Sequence, residues 1–305
     1  MKKAVITGAT GAIGTALVNK LIEENVQVLV LARKEGRVGK IPAHPLVKIA
    51  YCSLDEMAEF TPDKHDYDVF FHLAWAGPYG EERNDMFLQA DNIKHELDAV
   101  KLADRFGCKA FIGAGSQAEN GLLPKGVKVS PNSPENPING YGIAKLAAGR
   151  LSRILCNQLG IRHNWCRVLS VYGPGDGVHT MVMSTIIKFL KGEDCDFTEG
   201  EQQWDFCYSS DVASAFYCVA ERGRPDAIYT IGSGKTRSLK DYITKIRDAV
   251  SPKAKCNFGA IDYFPNQVMY LCADITDLQV DTDFEPKVDF ETGIKNTIEW
   301  CKTNL

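Results

Sequence analysis

The sequence predicts an α/β fold with a doubly wound parallel sheet, and three observations predict it. Short apolar runs rich in β-branched residues alternate with longer helical patterns through the first half of the chain. A glycine-rich turn follows the first run directly. A chain of 305 residues, 45% of them hydrophobic, can bury a large core without disulfide bonds or structural metal ions. We expect a main sheet domain over residues 1–170 and a smaller lobe mainly over residues 171–305, with some return to the first domain.

The individual elements follow from hydrophobic periodicity, with period two in strands and 3.6 in helices. The predicted strands cover residues 3–7, 26–32, 47–52, 68–74, 109–114 and 162–169, and the predicted helices cover residues 12–24, 84–106 and 141–159. Between residues 120 and 139 four prolines, with several Asn and Gly residues, exclude regular structure. A loop this long inside a compact domain is often functional, so we expect it to border the active site.

Composition narrows the function classes. A formal charge of -4 gives no sign of a nucleic-acid binder. The ten cysteines stand singly, without metal-ligand spacing, and are interpreted as reduced thiols, so no metal site is expected. The first residues lead directly into a strand, so we do not expect the two N-terminal lysines to belong to a signal peptide, and no apolar run approaches bilayer length. We expect a cytoplasmic protein with no membrane partner.

The first strand runs into the turn TGATGAIG, the order that a dinucleotide-binding βα unit requires. Gly8 permits the turn, Gly11 lets the backbone approach a pyrophosphate, and Gly14 lets helix and strand pack closely. The helix N-terminus faces the negative charge of the phosphates. The sequence therefore predicts a Rossmann-type cofactor site that also includes Thr10, Ala12 and Ile13.

The second strand ends at Arg33 and Lys34, where an NAD site would carry a carboxylate for the ribose 2'-hydroxyl. These side chains, with Arg37 nearby, offer charge-assisted hydrogen bonds to a 2'-phosphate. NADP(H) is predicted, with NAD(H) as the alternative if this is only a solvated basic loop.

Tyr141 and Lys145 lie one turn apart on the same face of a predicted helix. An ammonium and an oxidised nicotinamide ring near a phenol favour the phenolate, so we expect Lys145 to bring the pKa of Tyr141 nearer to working pH. Ser116 follows the fifth strand, at the edge where such folds bind ligands, and can polarise a carbonyl. The three residues predict a proton-handling centre for hydride transfer.

Nearly the whole chain resembles the extended short-chain dehydrogenase/reductase family, in its nucleotide-sugar epimerase, dehydratase and reductase branch. The matching motifs are TGATGAIG, FHLAWAG, Asn92, Ser116, YGIAK, RVLSVYGPGDG and WDFCYSSDVA. The resemblance implies a nucleotide-activated hexose as substrate and a homodimer through the helices around residues 84–106 and 141–159. It also places Ser53, Leu54, Leu73 and Ala74 at the cofactor.

Departures from the family pattern narrow the branch. Where the 4,6-dehydratases carry an Asp-Glu pair, this chain has Gln117 and Ala118, so dehydration is not expected. The basic end of the second strand favours an enzyme that consumes NADPH. The segments CSLD, VYGPGDG and FGAI resemble the CDP-abequose synthase type of 4-keto reductase.

The expected diphosphate anchors are also altered. Trp204 replaces an arginine that many relatives carry, and another expected arginine is missing near Asn266. Lys188, Arg237 and Lys240 are candidate replacements, and Trp204 either stacks on a base or fills a core. The candidate substrate residues are Trp75, Ser116, Gln117, Ser170, His179, Trp204 and Arg237. His72 and Asn92 are either functional or satisfied interior polar groups.

The sequence therefore predicts NADPH-dependent reduction of the 4-keto group of a nucleoside-diphosphate 4-keto-6-deoxyhexose. A nucleotide-sugar 4-epimerase, a reductase of substrates without a diphosphate, and a non-catalytic cofactor-sensing protein on the same fold remain alternatives.

Overall fold

The computed structural model describes residues 1–265 and 267–304. Its centre is a seven-stranded sheet in which every pair of neighbouring strands is parallel. The strands of this sheet are β1 (Lys3–Thr7), β2 (Gln27–Ala32), β3 (Val47–Tyr51), β4 (Val69–His72), β5 (Ala110–Ser116), β6 (Arg162–Val168) and β11 (Ile228–Ile231). Their order across the sheet is β11-β6-β5-β4-β1-β2-β3. From β1 the strands are added first towards β3 and then, from β4 onward, on the other side of β1, and ligands bind such sheets at this switch point.

Helices cover both faces of the sheet, as a parallel sheet with buried faces requires. They are α1 (Ala12–Glu23), α2 (Met86–Arg105), α3 (Gly140–Leu159), α4 (Met181–Leu190), α5 (Ser209–Arg222), α6 (Leu239–Val250), α7 (Thr276–Thr282) and α8 (Phe290–Asn304). One core cluster joins α1 and α5 to the sheet, and a second joins α2 to the opposite face. The predicted doubly wound α/β fold is confirmed.

Short strands and the remaining helices form the C-terminal part of the chain. These strands are β7 (Ser170–Tyr172), β8 (Cys195–Phe197), β9 (Gln203–Trp204), β10 (Phe206–Tyr208), β12 (Arg237–Ser238), β13 (Cys256–Phe258) and β14 (Tyr270–Leu271). An aromatic cluster lies among them, made of Tyr172, Phe206, Tyr242 and Phe290. The Tyr242 and Phe290 rings meet at 4.5 Å with an interplanar angle of 65°, a T-shaped contact that aromatic pairs favour.

The element boundaries differ from the predicted ones in two places that matter for the site. β5 continues to Ser116, so this serine is the last strand residue and does not follow the strand. The predicted helix of residues 84–106 begins at Met86, because Asp85 caps it by accepting hydrogen bonds from Phe87 and Leu88, each at 3.1 Å. A single 3-10 turn, Gly80–Asn84, precedes it.

The predicted irregular segment between α3 and the turn after β5 is bound to the C-terminal part. Val129 forms an isolated parallel bridge with Ala273. The Val129 N–H donates to the Cys272 carbonyl at 2.7 Å, and the Asp274 N–H donates to the Val129 carbonyl at 2.7 Å. The loop therefore spans from the edge of the main sheet to the C-terminal part.

The cysteines are free thiols, and eight of the ten are buried. Within residues 1–265 and 267–304, no helix combines the length and the apolar character needed to cross a membrane.

Candidate active site at the carboxyl edge of the sheet

The glycine turn after β1 is shaped as the sequence predicts. Gly8 has φ 74°, and a Cβ there would lie 2.7 Å from the Ala74 nitrogen and the Leu73 carbonyl carbon. A Cβ on Gly14 would lie 2.1 Å from the Gly8 carbonyl oxygen, so only glycine allows this packing. Gly11 caps α1 without a side-chain hydrogen bond, which leaves the first N–H groups of the helix available. The residues that follow or line this turn are Thr10, Ala12 and Ile13.

This backbone cradle fits the pyrophosphate of a dinucleotide. A Cβ built on Gly11 meets one atom, the Gly8 oxygen at 3.8 Å, so the turn faces open space. On its other side Gly175, in the turn after β7, approaches Ala12 closely, with the built Cβ 3.8 Å from the Ala12 Cα. The cradle combines available N–H groups with the positive end of the α1 dipole.

The ends of β2 and β3 carry the predicted ribose contacts. Arg33 and Lys34 are exposed just after β2, and Ser53 and Leu54 follow the neighbouring β3. The Ser53 N–H donates to the Glu56 carboxylate at 2.7 Å. That bond, with the Lys34 charge as a lesser cause, lowers the pKa of Glu56, so one acidic group lies beside the basic pair.

Tyr141 and Ser116 meet where β5 ends and α3 begins. Asn139 caps α3 by accepting a hydrogen bond from the Gly142 N–H at 2.8 Å, which holds Tyr141 in the first turn. Burial raises the pKa of Tyr141 to about 12, while the nearby Ser116 side chain and the positive charge of Arg83 act in the opposite direction. The phenol is therefore protonated at neutral pH in the protein alone.

Lys145 is buried beneath Tyr141 and faces Trp75. Its ammonium donates to the Ala114 carbonyl at 2.6 Å and lies 3.6 Å from the centre of the Trp75 ring. The Trp75 ring in turn meets the Tyr141 ring edge-on at 6.0 Å. Burial lowers the pKa of Lys145 to about 8, and the carboxyl groups of Glu96 and Glu119 oppose that shift.

These pKa directions correct one expectation. The sequence predicts that Lys145 lowers the pKa of Tyr141, but in the protein without cofactor burial outweighs every favourable charge on the phenol. The positive group that acts on the phenol here is Arg83, whose guanidinium carbon lies 4.3 Å from the centre of the Tyr141 ring.

A buried charge network supports the site from below. It consists of Glu119, Glu135, Arg150 and Arg167. Arg167 is fully buried, and its Nη2 lies 3.0 Å from the Glu119 carboxylate and 2.9 Å from the Glu135 carboxylate. Glu119 also accepts a hydrogen bond from the Trp165 indole at 3.0 Å. Glu119 is the first carboxylate after Ser116 in the chain, and its oxygens are already bound by Arg167 and Trp165.

The Trp165 indole fits only because three neighbouring positions lack side chains. A Cβ on Gly113, Gly115 or Gly149 would lie between 2.3 and 2.6 Å from an atom of the indole. β5 and α3 therefore both approach β6 at glycines, and the Lys145 and Ser116 backbones lie against this packing. No local sequence signal reveals this fit, because the glycines and the tryptophan lie on three different elements.

The predicted substrate residues are brought together only in part. The Trp204 indole donates to the Ser170 hydroxyl at 2.8 Å and packs on an apolar cluster that includes Leu271. Arg237 donates to Glu291 at 2.6 Å, so a carboxylate already occupies its guanidinium. His179 is exposed in the turn before α4.

The other candidate anchors lie apart from the phenol. Lys188 and Lys240 are exposed, and the Lys240 ammonium lies 4.9 Å from the centre of the Phe258 ring. Gln117 is half-buried directly after Ser116. Asn266 lies outside the described residues.

His72 and Asn92 are satisfied interior groups, the second of the two interpretations left open by the sequence. The His72 Nδ1 lies 2.8 Å from the Thr7 hydroxyl, and burial lowers the pKa of His72 to about 3. Asn92 accepts from the Ala76 N–H and donates to the Ala76 carbonyl, both at 2.9 Å. Asn92 thus fixes the backbone just beyond Trp75.

Two residues near the site were missed by sequence reasoning. Arg83 immediately precedes the predicted start of α2, and Glu96 is fully buried inside α2, 3.8 Å from His72. Neither Arg83 nor Glu96 belongs to a recognisable motif, and a charged residue on a helix is ordinarily interpreted as facing solvent. A glutamate at a helix position whose neighbours Val100 and Ala103 are core residues was the one available signal.

Comparisons with known proteins agree with this geometry. The chain is 25% identical to CDP-abequose synthase of Salmonella typhimurium, over 97% of each chain. It is also 25% identical to a putative UDP-glucose 4-epimerase of Methanocaldococcus jannaschii, over 98% of each chain. The solved UDP-N-acetylglucosamine 4-epimerase of Methanobrevibacter ruminantium shares the fold with a TM-score of 0.89 and 22% identity, over 100% of this chain and 99% of that one.

A family match over residues 4–232 covers the glycine turn, Ser116, Tyr141 and Lys145 together. The chain therefore belongs to the NAD dependent epimerase/dehydratase family, whose enzymes are of the extended short-chain dehydrogenase/reductase type.

Proposed function

We propose that this enzyme acts on a nucleotide sugar and reduces the 4-keto group of a nucleoside-diphosphate 4-keto-6-deoxyhexose with NADPH. One observation carries the proposal: Tyr141 and Lys145 both pack against Trp75, next to Ser116, at the sheet edge where a pyrophosphate cradle also opens. The similarity to CDP-abequose synthase supports a deoxysugar substrate.

The chemistry divides between the cofactor and the chain. Bound NADPH supplies the hydride. Tyr141 gives its proton to the carbonyl oxygen as negative charge develops there, and the Ser116 hydroxyl stabilises that oxygen by a hydrogen bond. Because the pKa of Tyr141 is raised to about 12, the phenol holds its proton at neutral pH, which suits reduction. Lys145 has further N–H donors beyond the one given to Ala114, and these would hold the nicotinamide ribose.

Substitution of Tyr141 tests the mechanism. We expect Tyr141→Phe to lower kcat by about a hundredfold or more with little change in cofactor affinity, the usual range for a lost acid-base group. Tyr217→Phe is the matched control, because Tyr217 lies on α5 and bonds Glu24 at 3.3 Å, away from the site. Full activity in Tyr141→Phe would reject the mechanism.

The choice of NADPH rests on the exposed Arg33 and Lys34, which can bind a 2'-phosphate. We expect Arg33→Ser with Lys34→Ser to raise the KM for NADPH about 10- to 100-fold and to leave the KM for NADH nearly unchanged, as loss of charge-assisted hydrogen bonds predicts. A lower KM for NADH than for NADPH in the unaltered enzyme would refute the assignment.

Residues 171–305 are proposed to supply most of the substrate site. Ser170 and Trp204 form a joined pair that links β7 to β9, and an indole there offers a flat surface for a sugar or base. The proposed substrate contacts are Trp75, Ser116, Gln117, Ser170, His179, Trp204 and Arg237. Arg237 can take this role only if a phosphate displaces Glu291 from its guanidinium.

A 4-epimerase is the second candidate, and the similarity to the putative UDP-glucose 4-epimerase favours it. An epimerase returns the hydride to the sugar and so consumes no cofactor overall. One NADPH oxidised per sugar converted supports the reductase. Interconversion of two 4-hydroxy epimers without net cofactor use supports the epimerase, and binding of cofactor with neither reaction supports a sensing role.

The proposed assembly is a homodimer through α2 and α3. The outer face of α3 exposes Ile143, Leu151 and Ile154, whose spacing places them on one side of the helix. An exposed apolar stripe of this kind is typical of an interface. Light scattering at micromolar concentration should report a dimer, and Leu151→Glu with Ile154→Glu should give monomers.

A further inference from the structure

The 3-10 turn Gly80–Asn84 is fastened to the beginning of α3. The Gly140 N–H donates to the Asn84 side-chain oxygen at 3.2 Å. A Cβ on Gly140 would lie 3.0 Å from the Arg83 carbonyl oxygen and 2.9 Å from the Met86 sulfur. The glycine before Tyr141 therefore allows the two backbones to approach, and this approach brings Arg83 beside the tyrosine.

Arg83 is held over the Tyr141 ring. Its guanidinium carbon lies 4.3 Å from the ring centre, and its Nη1 donates to the Pro78 carbonyl at 3.2 Å. The side chain is half-buried, and within residues 1–265 and 267–304 it makes no ion pair. Without a carboxylate partner, no negative charge offsets the field of the guanidinium at the neighbouring ring.

The other groups around the phenol come from four elements. Ser116 at the end of β5 favours ionisation of the phenol, whereas Glu119 in the following turn and Tyr79 oppose it. Trp75, after β4, meets the ring edge-on. On α3 itself Lys145 directs its ammonium to Ala114 and Trp75.

We propose that Arg83 is a positioning residue for Tyr141. The Arg83 guanidinium holds the Tyr141 ring by stacking on it, and its positive charge stabilises the phenolate. The consequence for catalysis rests on the proposed function, whereas the effect on the phenol does not. Arg83 also works against the burial that raises the pKa of Tyr141 to about 12. Removing the charge should therefore raise that pKa further.

A titration without substrate tests the electrostatic step. Fluorotyrosine at position 141 has a more acidic phenol, so its ionisation can be followed by fluorine NMR at a pH that the fold tolerates. We expect Arg83→Gln to raise the titration midpoint by about 0.5–1 pH unit, the size of a partly buried cation–π contact. Arg83→Lys should shift it by less than half as much, because the charge is kept. Arg247→Gln is the control, since Arg247 pairs with Asp248 on the surface of α6.

A pH profile tests the catalytic step. During reduction the phenol must be protonated, so activity falls as pH rises through its pKa, and Arg83→Gln should move this alkaline limb to higher pH by the same amount. In the oxidative direction, which needs the phenolate, kcat of Arg83→Gln at pH 7 should fall about three- to tenfold. The KM for NADPH should not change.

The two experiments separate the two proposals. An unchanged midpoint in Arg83→Gln, or an equal shift in Arg83→Lys, would overturn the role of the Arg83 charge. If no 4-keto sugar is reduced but the midpoint moves as expected, the proposed substrate is wrong and the role of Arg83 stands. Thermal melts of both variants establish whether each is folded. If Arg83→Gln does not fold, the titration of Arg83→Lys against the unaltered protein still tests the role of the side chain.

Discussion

The interior beneath α3 is charged, whereas the interior of the C-terminal part is aromatic. In the buried charge network, Arg167 depends on Glu119 and Glu135 at 3.0 and 2.9 Å, and each group would be costly to bury alone. In the aromatic cluster, Tyr242 and Phe290 make an apolar ring contact, with the Arg237 guanidinium 6.0 Å from the centre of the Tyr242 ring, and this contact tolerates moderate changes of shape. The network holds the end of β5 through the hydrogen bond from the Ser116 N–H to the Glu119 carboxylate at 2.6 Å, while the cluster mainly supplies apolar burial.

Breaking the charge network should have the largest effect on stability. Arg167→Met leaves the buried Glu119 carboxylate without its guanidinium, and we expect a loss of about 3–5 kcal/mol in the free energy of unfolding, measured by urea denaturation. The double variant Glu119→Gln with Arg167→Met should recover part of that loss, because no unpaired charge remains. A loss under about 1 kcal/mol in the single variant would show that the network is not a unit.

An aromatic substitution should cost less. Phe290→Leu removes the T-shaped contact with Tyr242, and we expect a loss of about 1–2 kcal/mol that does not depend on salt concentration. Phe264→Leu is the matched control, because Phe264 is 74% exposed and should be nearly neutral. If Phe290→Leu cost as much as Arg167→Met, the contrast between the two interiors would fail.

The remaining expected effect depends on pH and concerns Glu96. Within the described part of the chain both carboxyl oxygens of Glu96 are buried without a hydrogen-bond partner, and burial raises the pKa of Glu96 to about 8. The folded protein therefore holds a proton that the unfolded chain releases near its ordinary value of 4.5, so wild-type stability falls as pH rises from 4.5 through 8.

Glu96→Gln removes this dependence. Relative to wild type, the variant should gain about 3–4 kcal/mol in the free energy of unfolding between pH 5 and pH 8.5, since each pKa unit between 4.5 and about 8 corresponds to about 1.4 kcal/mol. Thermal melts across that range provide the measurement, with the exposed Glu59→Gln as control. Parallel curves for Glu96→Gln and wild type would mean that Glu96 is ionised in the folded protein.

Local signals in the sequence predicted much of the fold and the positions of several residues of the candidate site. The glycine turn, the β1 and α1 boundaries and the Tyr141–Lys145 pair depend on residues close together in the chain, and each lies where the pattern predicts. Arg167 and Glu119 are 48 positions apart, so no local pattern joins them. Arg83 reaches Tyr141 only because two separate turns meet at Gly140. Burial decided the Tyr141 pKa, and burial is a property of the finished fold.

The hydrogen-bonded bridge between Val129 and Ala273 has a mechanical consequence. Val129 lies on the tether whose two ends are the serine and the tyrosine of the proton-handling pair, Ser116 and Tyr141. If the C-terminal part swings outward, it must either rupture the two bonds of the bridge or drag this tether with it. A movement of the C-terminal part would therefore change the distance between the Ser116 hydroxyl and the Tyr141 phenol.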